Sequence, residues 1–568
     1  MHRRHFLISG MSLASALAVG ACGTDEDEPV TGPPGTDGGP TDAGGADDEE
    51  AAPRVEVLRL SGSDSGFPSP FAYMRGPGFI RASLIYDTLV WKDATGEILP
   101  WLAESFEESA DGLTHTFTLR PDILWHDGEP LTAQDVAFTF QYFGEQTISP
   151  QVIMQPLPGI EEVVAVDDLT VEFRLATPLA AFYGLGGAGS ILIVPEHIWS
   201  AVPEAATATD PAVLVGSGPY RLESYAQGEG SYVYTANDDY FLGAPFVSRL
   251  EFSDVDDALA GVSVGELDFA SASGVLPAVL ESFEANPELT VLEGPPGNSG
   301  SGLFWNIARG GALADVVFRQ ACARAIDRDD LVERLHGGNA QPGNPGWIPP
   351  GNPFHVDVEQ YAFDPEAAEA MLDGAGYVRE GDGVRQGPDG APLAFTLSVT
   401  SPVTPVVELV VGALGAIGVQ LTPQALDPPS FNQLVIGGES EMSIIGFGGM
   451  NTDHAASYLF QVYSSTTRTT QHAQGYVNPE VDELTALQDT QTDVDERMET
   501  VAEIQELIAD DLPLLPLVYP DSFGVFNPST FDQWYFTVGG VGGTVPTIEN
   551  KQVFITGRQT GIEIRPNE

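Results

Sequence analysis

Between Trp101 and Phe140 the sequence switches from the period of a strand to that of a helix, with a turn signal at each change. Thr114 to Leu119 alternates polar and apolar residues, as a strand with one buried face does. Ala110-Asp111-Gly112 before it and His126-Asp127-Gly128 after it are turn signals, so a hairpin is expected. Thr132 then stands as a helix N-cap with Asp135 at capping-box spacing, and Val136, Phe138 and Phe140 are carried on the helix that follows. A chain punctuated in this way is committed to a mixed α/β fold.

At 568 residues, with 42% hydrophobic content, the chain is too long for one hydrophobic core, and two or three globular domains are expected. Its formal charge is 23 − 82 = −59. A surface this acidic repels nucleic acid and anionic membranes, which excludes nucleic-acid binding. Lys92 and Lys551 are the only lysines. Acid excess together with lysine loss fits either plain solubility or a surface adapted to high salt, where cations screen crowded carboxylates. The cysteines, Cys22 and Cys322, cannot make a disulfide framework. Cys322, among helical neighbours, reads as a small buried apolar residue.

Cys22 reads differently. Arg3-Arg4 opens a charged n-region of twin-arginine type, Ile8 to Ala21 is a short apolar stretch, and Val19-Gly20-Ala21-Cys22 looks like a lipobox. Residues 1–21 are therefore expected to be a signal peptide, and Cys22 the lipidated N-terminus of a mature protein anchored to a membrane outside the cytoplasm. Residues 22–53, rich in Asp, Glu, Gly, Pro and Thr, are expected to form a disordered acidic tether.

Three further blocks stand out downstream. Gly216-Ser217-Gly218-Pro219-Tyr220-Arg221-Leu222 opens a run of expected antiparallel strands that includes Tyr232-Val233-Tyr234. Leu303-Phe304-Trp305-Asn306 is followed by Asp315-Val316-Val317-Phe318-Arg319-Gln320-Ala321. Leu512 to Tyr519 is a near-continuous apolar run. Asp327 caps a helix that Gly337-Gly338 ends, and Asp364 to Gly374 and Val406 to Ile417 have helical patterns. Pro178 to Tyr183 is expected as a short helix, Ile191 to Pro195 as a strand, and Pro342 to Pro353 as a loop. Gly184 to Gly189 satisfies GxGxxG, but a strand follows where a dinucleotide fingerprint requires a helix, so it is set aside.

These residues resemble the signature of the family 5 extracellular solute-binding proteins, the peptide, nickel and oligosaccharide receptors of ABC importers. The resemblance lies in Ala103-Glu104-Ser105-Phe106, Asp111-Gly112, Phe117-x-Leu119-Arg120, Trp125-His126-Asp127-Gly128, Thr132-Ala133 and Asp135-Val136, and continues through the later blocks. It implies a two-lobed periplasmic-binding-protein-like fold of class II type, with an extra subdomain in the first lobe. The expected divisions are 54–90, 91–190 (the extra subdomain) and 191–300 in the first lobe, 301–512 for the second lobe, and a return to the first lobe over 513–568.

The function this implies is capture of an oligopeptide or similar small solute between the lobes and its delivery to an ABC permease by a monomeric receptor without cofactor. No GxSxG elbow, P-loop, HExxH or zinc-type cysteine pair occurs in the sequence, so no enzyme is expected; an exported hydrolase on this scaffold is the alternative of another class. His454 and His472, the only candidate metal ligands near the proposed cleft, are read as surface or packing residues. In the peptide-binding branch an aspartate after a gly-trp segment pairs with the peptide ammonium. Here Gly446-Phe447-Gly448-Gly449-Met450-Asn451-Thr452-Asp453 puts Met450 at that place, with Asp453 three residues on. The candidate ligand-binding residues are Trp305, Phe447, Gly448, Met450, Asn451, Asp453 and Tyr519. Their aromatic members could equally stack on a sugar, which leaves an oligosaccharide receptor of the same family open.

Overall fold

The computed structural model describes residues 54–536 and 551–555, except 74, 93–96, 149–151, 153, 154, 185, 295–298, 403, 449–452, 468, 470 and 471. Two large sheets organise it. The first runs, edge to edge, Thr290–Glu293, Ser522–Phe526, Phe269–Ser273, Leu58–Gly62, Arg249–Asp254, Ser231–Ala236 and Tyr220–Ala226. The second runs Ala340–Pro342, Leu514–Pro520, Ser299–Trp305, Met442–Gly448, Ala394–Thr400 and Gln420–Leu426. Each sheet is the centre of one lobe.

A separate four-stranded antiparallel sheet, Ala103–Glu108, Thr114–Leu119, Thr170–Leu175 and Ile160–Ala165, carries the patterned stretch. Thr114–Leu119 alternates half-buried and buried positions along its whole length, because Phe117 and Leu119 face the core while Thr114, Thr116 and Thr118 face outward. The helix Ala133–Glu145 starts at Thr132, whose amide donates to Asp135 Oδ2 at 2.9 Å. This subdomain shares one apolar core with the first sheet, from Leu58 and Leu60 through Trp101 and Phe117 to Phe173.

The second lobe buries both faces of its sheet. One face packs Leu397 and Leu515 under the helices Val316–Ala325, which contributes Cys322, and Pro405–Ala416; the other packs Phe304, Phe447 and Tyr519 under Asp453–Tyr463 and Val494–Asp511. Cys322 is fully buried, which pushes its thiol pKa up and suits a packing role. The helix Arg328–His336 begins at Asp327, which accepts from the Asp330 amide at 2.9 Å, and ends at Gly337 in the left-handed region (φ 59°).

Three expectations need correction. Pro178 to Tyr183 is a turn rather than a helix, closed by Phe182 N to Leu179 O (3.0 Å) and Gly184 N to Ala181 O (2.8 Å), because the glycine run behind it ends any helical register. Among the described residues, Ile191 to Pro195 pairs with no strand. Its amides are satisfied by Asp87 O (2.9 Å, from Ile193) and Thr139 Oγ1 (3.0 Å, from Val194). Leu514–Pro520 belongs to the second sheet, and the chain crosses to the first sheet at Asp521, beyond the expected return at 513. An apolar run states that a strand is buried but not which sheet buries it.

The chain's last described segment, Lys551–Ile555, is pinned to the first lobe. Lys551 is fully buried beside the equally buried Asp87, donates to Tyr86 O at 3.1 Å, and has its ammonium 4.6 and 5.4 Å from the ring centres of Trp91 and Trp101. Among the described residues no helix is long and apolar enough to cross a membrane.

Candidate functional site

The chain passes between the sheets twice: after Glu293 towards Ser299, and through Asp521 between Leu514–Pro520 and Ser522–Phe526. Around the second crossing the lobes are stitched together. Gly274 N donates to Asp521 O (2.7 Å), Asp521 N donates to Asn339 O (3.1 Å), and His336 Nδ1 lies 2.9 Å from Gly274 O. In the first sheet Leu58–Gly62 and Phe269–Ser273 are parallel neighbours. Gly274, bonded to the crossing, follows the second of them, so the C-terminal ends of both strands point at the second lobe. That is where open α/β sheets place their ligands.

On the first lobe this end carries residues 63–69. Asp64 Oδ1 accepts from Tyr225 OH (2.6 Å) and from the Gly66 amide (3.0 Å), while Tyr232 OH donates to Gly66 O (2.8 Å). Tyr225 and Tyr232 stack with centroids 4.7 Å apart. Burial and the neighbouring Asp64 push the Tyr225 hydroxyl pKa up, so it stays a donor. The loop is thereby held by side chains, with an isolated antiparallel bridge between Gly66 and Tyr73 beside them.

On the second lobe, Ser299–Trp305 and Met442–Gly448 pair antiparallel with Gly300 opposite Phe447. Gly300 is required there: a Cβ would lie 2.4 Å from the Phe447 ring and 2.9 Å from the Tyr519 ring. Phe447 also packs 4.4 Å from Trp347, centroid to centroid, and Tyr519 OH donates to Trp347 O at 2.6 Å. Gly448 ends its strand at the same edge, and the helix Asp453–Tyr463 begins just beyond.

The structure thus brings Phe447, Gly448 and Tyr519 together, with Phe447 and Tyr519 buried in the wall of the second lobe rather than standing free. Trp305 is not with them. It lies opposite Met442, five positions along the strand from Gly300, or about 17 Å at ~3.3 Å per residue, and is 1% exposed in the lobe core. Met450 and Asn451 lie outside the described residues, as does Cys22; Asp453 is placed as the first residue of its helix. His472 is buried, with Nδ1 3.2 Å from Thr467 Oγ1, and no His, Cys, Asp or Glu cluster among the described residues could hold a metal ion.

Sequence reading does not single out Trp347, which lies in the expected Pro342–Pro353 loop. Its φ of 74°, rare for so large a side chain, marks a backbone held by its surroundings. It also missed a cavity of about 430 Å³ at the seam, lined by Leu280, Glu281 and Glu284 of the first lobe, Glu293 and Asp521 at the crossings, and Asn339 of the second lobe. The Asp521 carboxyl is pushed up by burial and by Glu293, with His336 acting the other way. Nothing in the sequence marks this cavity, since carboxylates occur throughout so acidic a chain.

Comparison with known proteins fits this geometry. Residues 97–469 match the family model described as "Bacterial extracellular solute-binding proteins, family 5 Middle". An ABC transporter peptide-binding protein of Brucella ovis is 28% identical over 422 residues, 70% of this chain and 75% of the relative. The dipeptide-binding protein of Escherichia coli is 31% identical over 350 residues, 56% of this chain and 63% of the relative. The periplasmic binding protein DppA of Helicobacter pylori, solved with the peptide STSA, superposes with a TM-score of 0.72 at 22% identity, covering 88% of this chain and 98% of that one. The family match spans most of the chain, and this protein belongs to family 5 of the bacterial extracellular solute-binding proteins.

Proposed function

We propose that the protein is the lipid-anchored receptor of an ABC importer, and that it captures an oligopeptide or similar small solute between its lobes and hands it to a membrane permease. The observation that carries this reading is the pair of chain crossings. Two separately cored sheets joined by short connections, with strand ends of each directed at the other, can enclose a solute by rotation of one lobe against the other. The peptide-binding relatives support the solute class, and the Cys22 lipobox with the 22–53 tether supports the anchor. Within the cleft we assign the solute to the stretch that follows Gly448, with Met450, Asn451 and Asp453 as its contacts, on the side of the second lobe that carries Phe447 and Tyr519. Asp453 is the carboxylate that would pair with a peptide ammonium, since Met450 cannot.

Native mass spectrometry of gently purified protein tests this: a bound mass in the range of short peptides is expected. A bound sugar mass would replace the peptide reading with the oligosaccharide one. Recovery of cleaved products from short peptides incubated with the pure protein would make it a hydrolase. Membrane fractionation of Cys22→Ser tests the anchor, with release into the soluble extracytoplasmic fraction expected.

A further inference from the structure

Three strands that are neighbours in the first sheet meet the seam side by side: Thr290–Glu293, Ser522–Phe526 and Phe269–Ser273. The chain crosses to the second lobe at the first two. At the third it does not cross, because Phe269–Ser273 runs on through Gly274 into the helix Pro277–Glu284 of its own lobe.

Gly274 and Val275 are nevertheless bonded to the second lobe by side chains. His336 Nδ1 donates to Gly274 O (2.9 Å), since a carbonyl only accepts, and Asn339 Nδ2 donates to Val275 O (2.6 Å). Both donors stand at the C-terminal end of the helix Arg328–His336. The contact is close from either side. Gly274 (φ 61°) and Gly337 (φ 59°) lie in the left-handed region; a Cβ on the first would be 2.2 Å from His336 Nδ1, and on the second 2.6 Å from Pro277 Cδ. One row of backbone bonds links this contact to both crossings: Gly294 N donates to Ser522 O (2.7 Å), Gly274 N to Asp521 O (2.7 Å) and Asp521 N to Asn339 O (3.1 Å).

We infer that Gly274–Pro277, held by His336 and Asn339, is a third, noncovalent hinge connection, which confines the lobes to opening and closing about the line of the two crossings.

The width of the hinge supplies the reason. Adjacent strands lie about 4.8 Å apart, so two crossings make a narrow base, and a third attachment beside them widens it to about 10 Å. A twist of one lobe about an axis perpendicular to that line must displace the outer attachment about twice as far as the inner one. Rotation about the line itself moves all three attachments little. Closure therefore stays free while twist is restrained. Two side-chain hydrogen bonds of ordinary net strength favour the docked arrangement by about 5- to 150-fold. His336 and Asn339 are positioning residues in this sense, acting through the hinge. The inference rests on the reading of the lobes as jaws that move on one another, and it holds whichever solute they take.

The test is double electron–electron resonance on the solute-free full chain at fixed pH and NaCl. Nitroxides are attached at Ser224→Cys in the first lobe and Glu408→Cys in the second, both exposed positions, in a Cys22→Ser background; Cys322 is fully buried and escapes label. Expected is a broader interlobe distance distribution in His336→Phe/Asn339→Leu than in the wild type. His336→Asn/Asn339→Leu, which returns an amide donor to the place of Nδ1, should narrow it again. Hydrogen exchange at the Gly274 and Asp521 amides should quicken by about 5- to 150-fold in the first double variant, and wild-type exchange in the interiors of both sheets shows that the lobes are folded. Asn339→Leu alone takes its place should the double variant not fold. A distribution in the folded variants as narrow as that of the wild type overturns the inference, and so does a broadening that the His336→Asn variant leaves unchanged. Either result together with a bound solute mass would remove the hinge connection and leave the receptor reading standing; the expected broadening without solute capture would do the reverse.

Discussion

Replacing Lys551 by Met keeps the length of the side chain and removes its charge from a fully buried site. Asp87 would then keep three neutral donors: Trp101 Nε1 (2.9 Å), Tyr240 OH (3.0 Å) and Ser217 Oγ (2.8 Å). Breaking a buried ion pair by removing one partner costs about 3–5 kcal/mol, because the other charge remains desolvated. The lost ammonium–indole contacts with Trp91 and Trp101 add about 0.5–2 kcal/mol. The three remaining hydrogen bonds to the carboxylate soften the first figure, so a loss of about 3–5 kcal/mol is expected for the first lobe. Denaturant unfolding followed by tryptophan fluorescence measures it, since Trp91 and Trp101 flank the ammonium. Asp87→Asn in the Lys551→Met background removes the stranded charge, and the double variant should recover at least about 1 kcal/mol. A loss below about 1 kcal/mol for Lys551→Met, or strict additivity of the two substitutions, would refute the argument that the pair pins the C-terminal segment.

Gly300→Ala drives a methyl into the Phe447 and Tyr519 rings and should cost about 1–3 kcal/mol, with solute affinity falling as that wall shifts; equilibrium denaturation and a fluorescence titration with short peptides read the two effects. Acid should weaken the first lobe between pH 6.5 and about 4. Burial lowers both His115 and His126 from 6.5 to about 4, so the unfolded chain binds protons first and stability present above 6.5 is lost as pH falls; His115→Asn should flatten that limb of the pH–stability profile. Both lysines are buried, so the folded chain should resist amine acylation at lysine and acquire label at Lys92 and Lys551 only on unfolding, as peptide mass mapping would show. With a charge of −59, the melting temperature should rise with added NaCl; an unchanged melting temperature in low salt would remove the case for a salt-adapted surface.

The sequence by itself determined the local elements whose signals are local. The strand Thr114–Leu119, the helix starts at Thr132 and Asp327 and the helix stop at Gly337 follow from side-chain period, capping geometry and the freedom of glycine, none of which depends on distant partners. Family membership was legible for the same reason, since its motifs are strings of such signals. Tertiary structure alone decided where those elements meet. Trp305 and Phe447 look alike as candidates in the sequence, yet the antiparallel register sets one in a lobe core and the other at the strand end opposite Gly300. The Pro178–Tyr183 turn finds its hydrogen-bond partner at Asp489, and Asp87 finds its counter-ion at Lys551. Such pairings bring together residues hundreds of positions apart, chosen by which surfaces exclude water together, and no window along the chain carries that information.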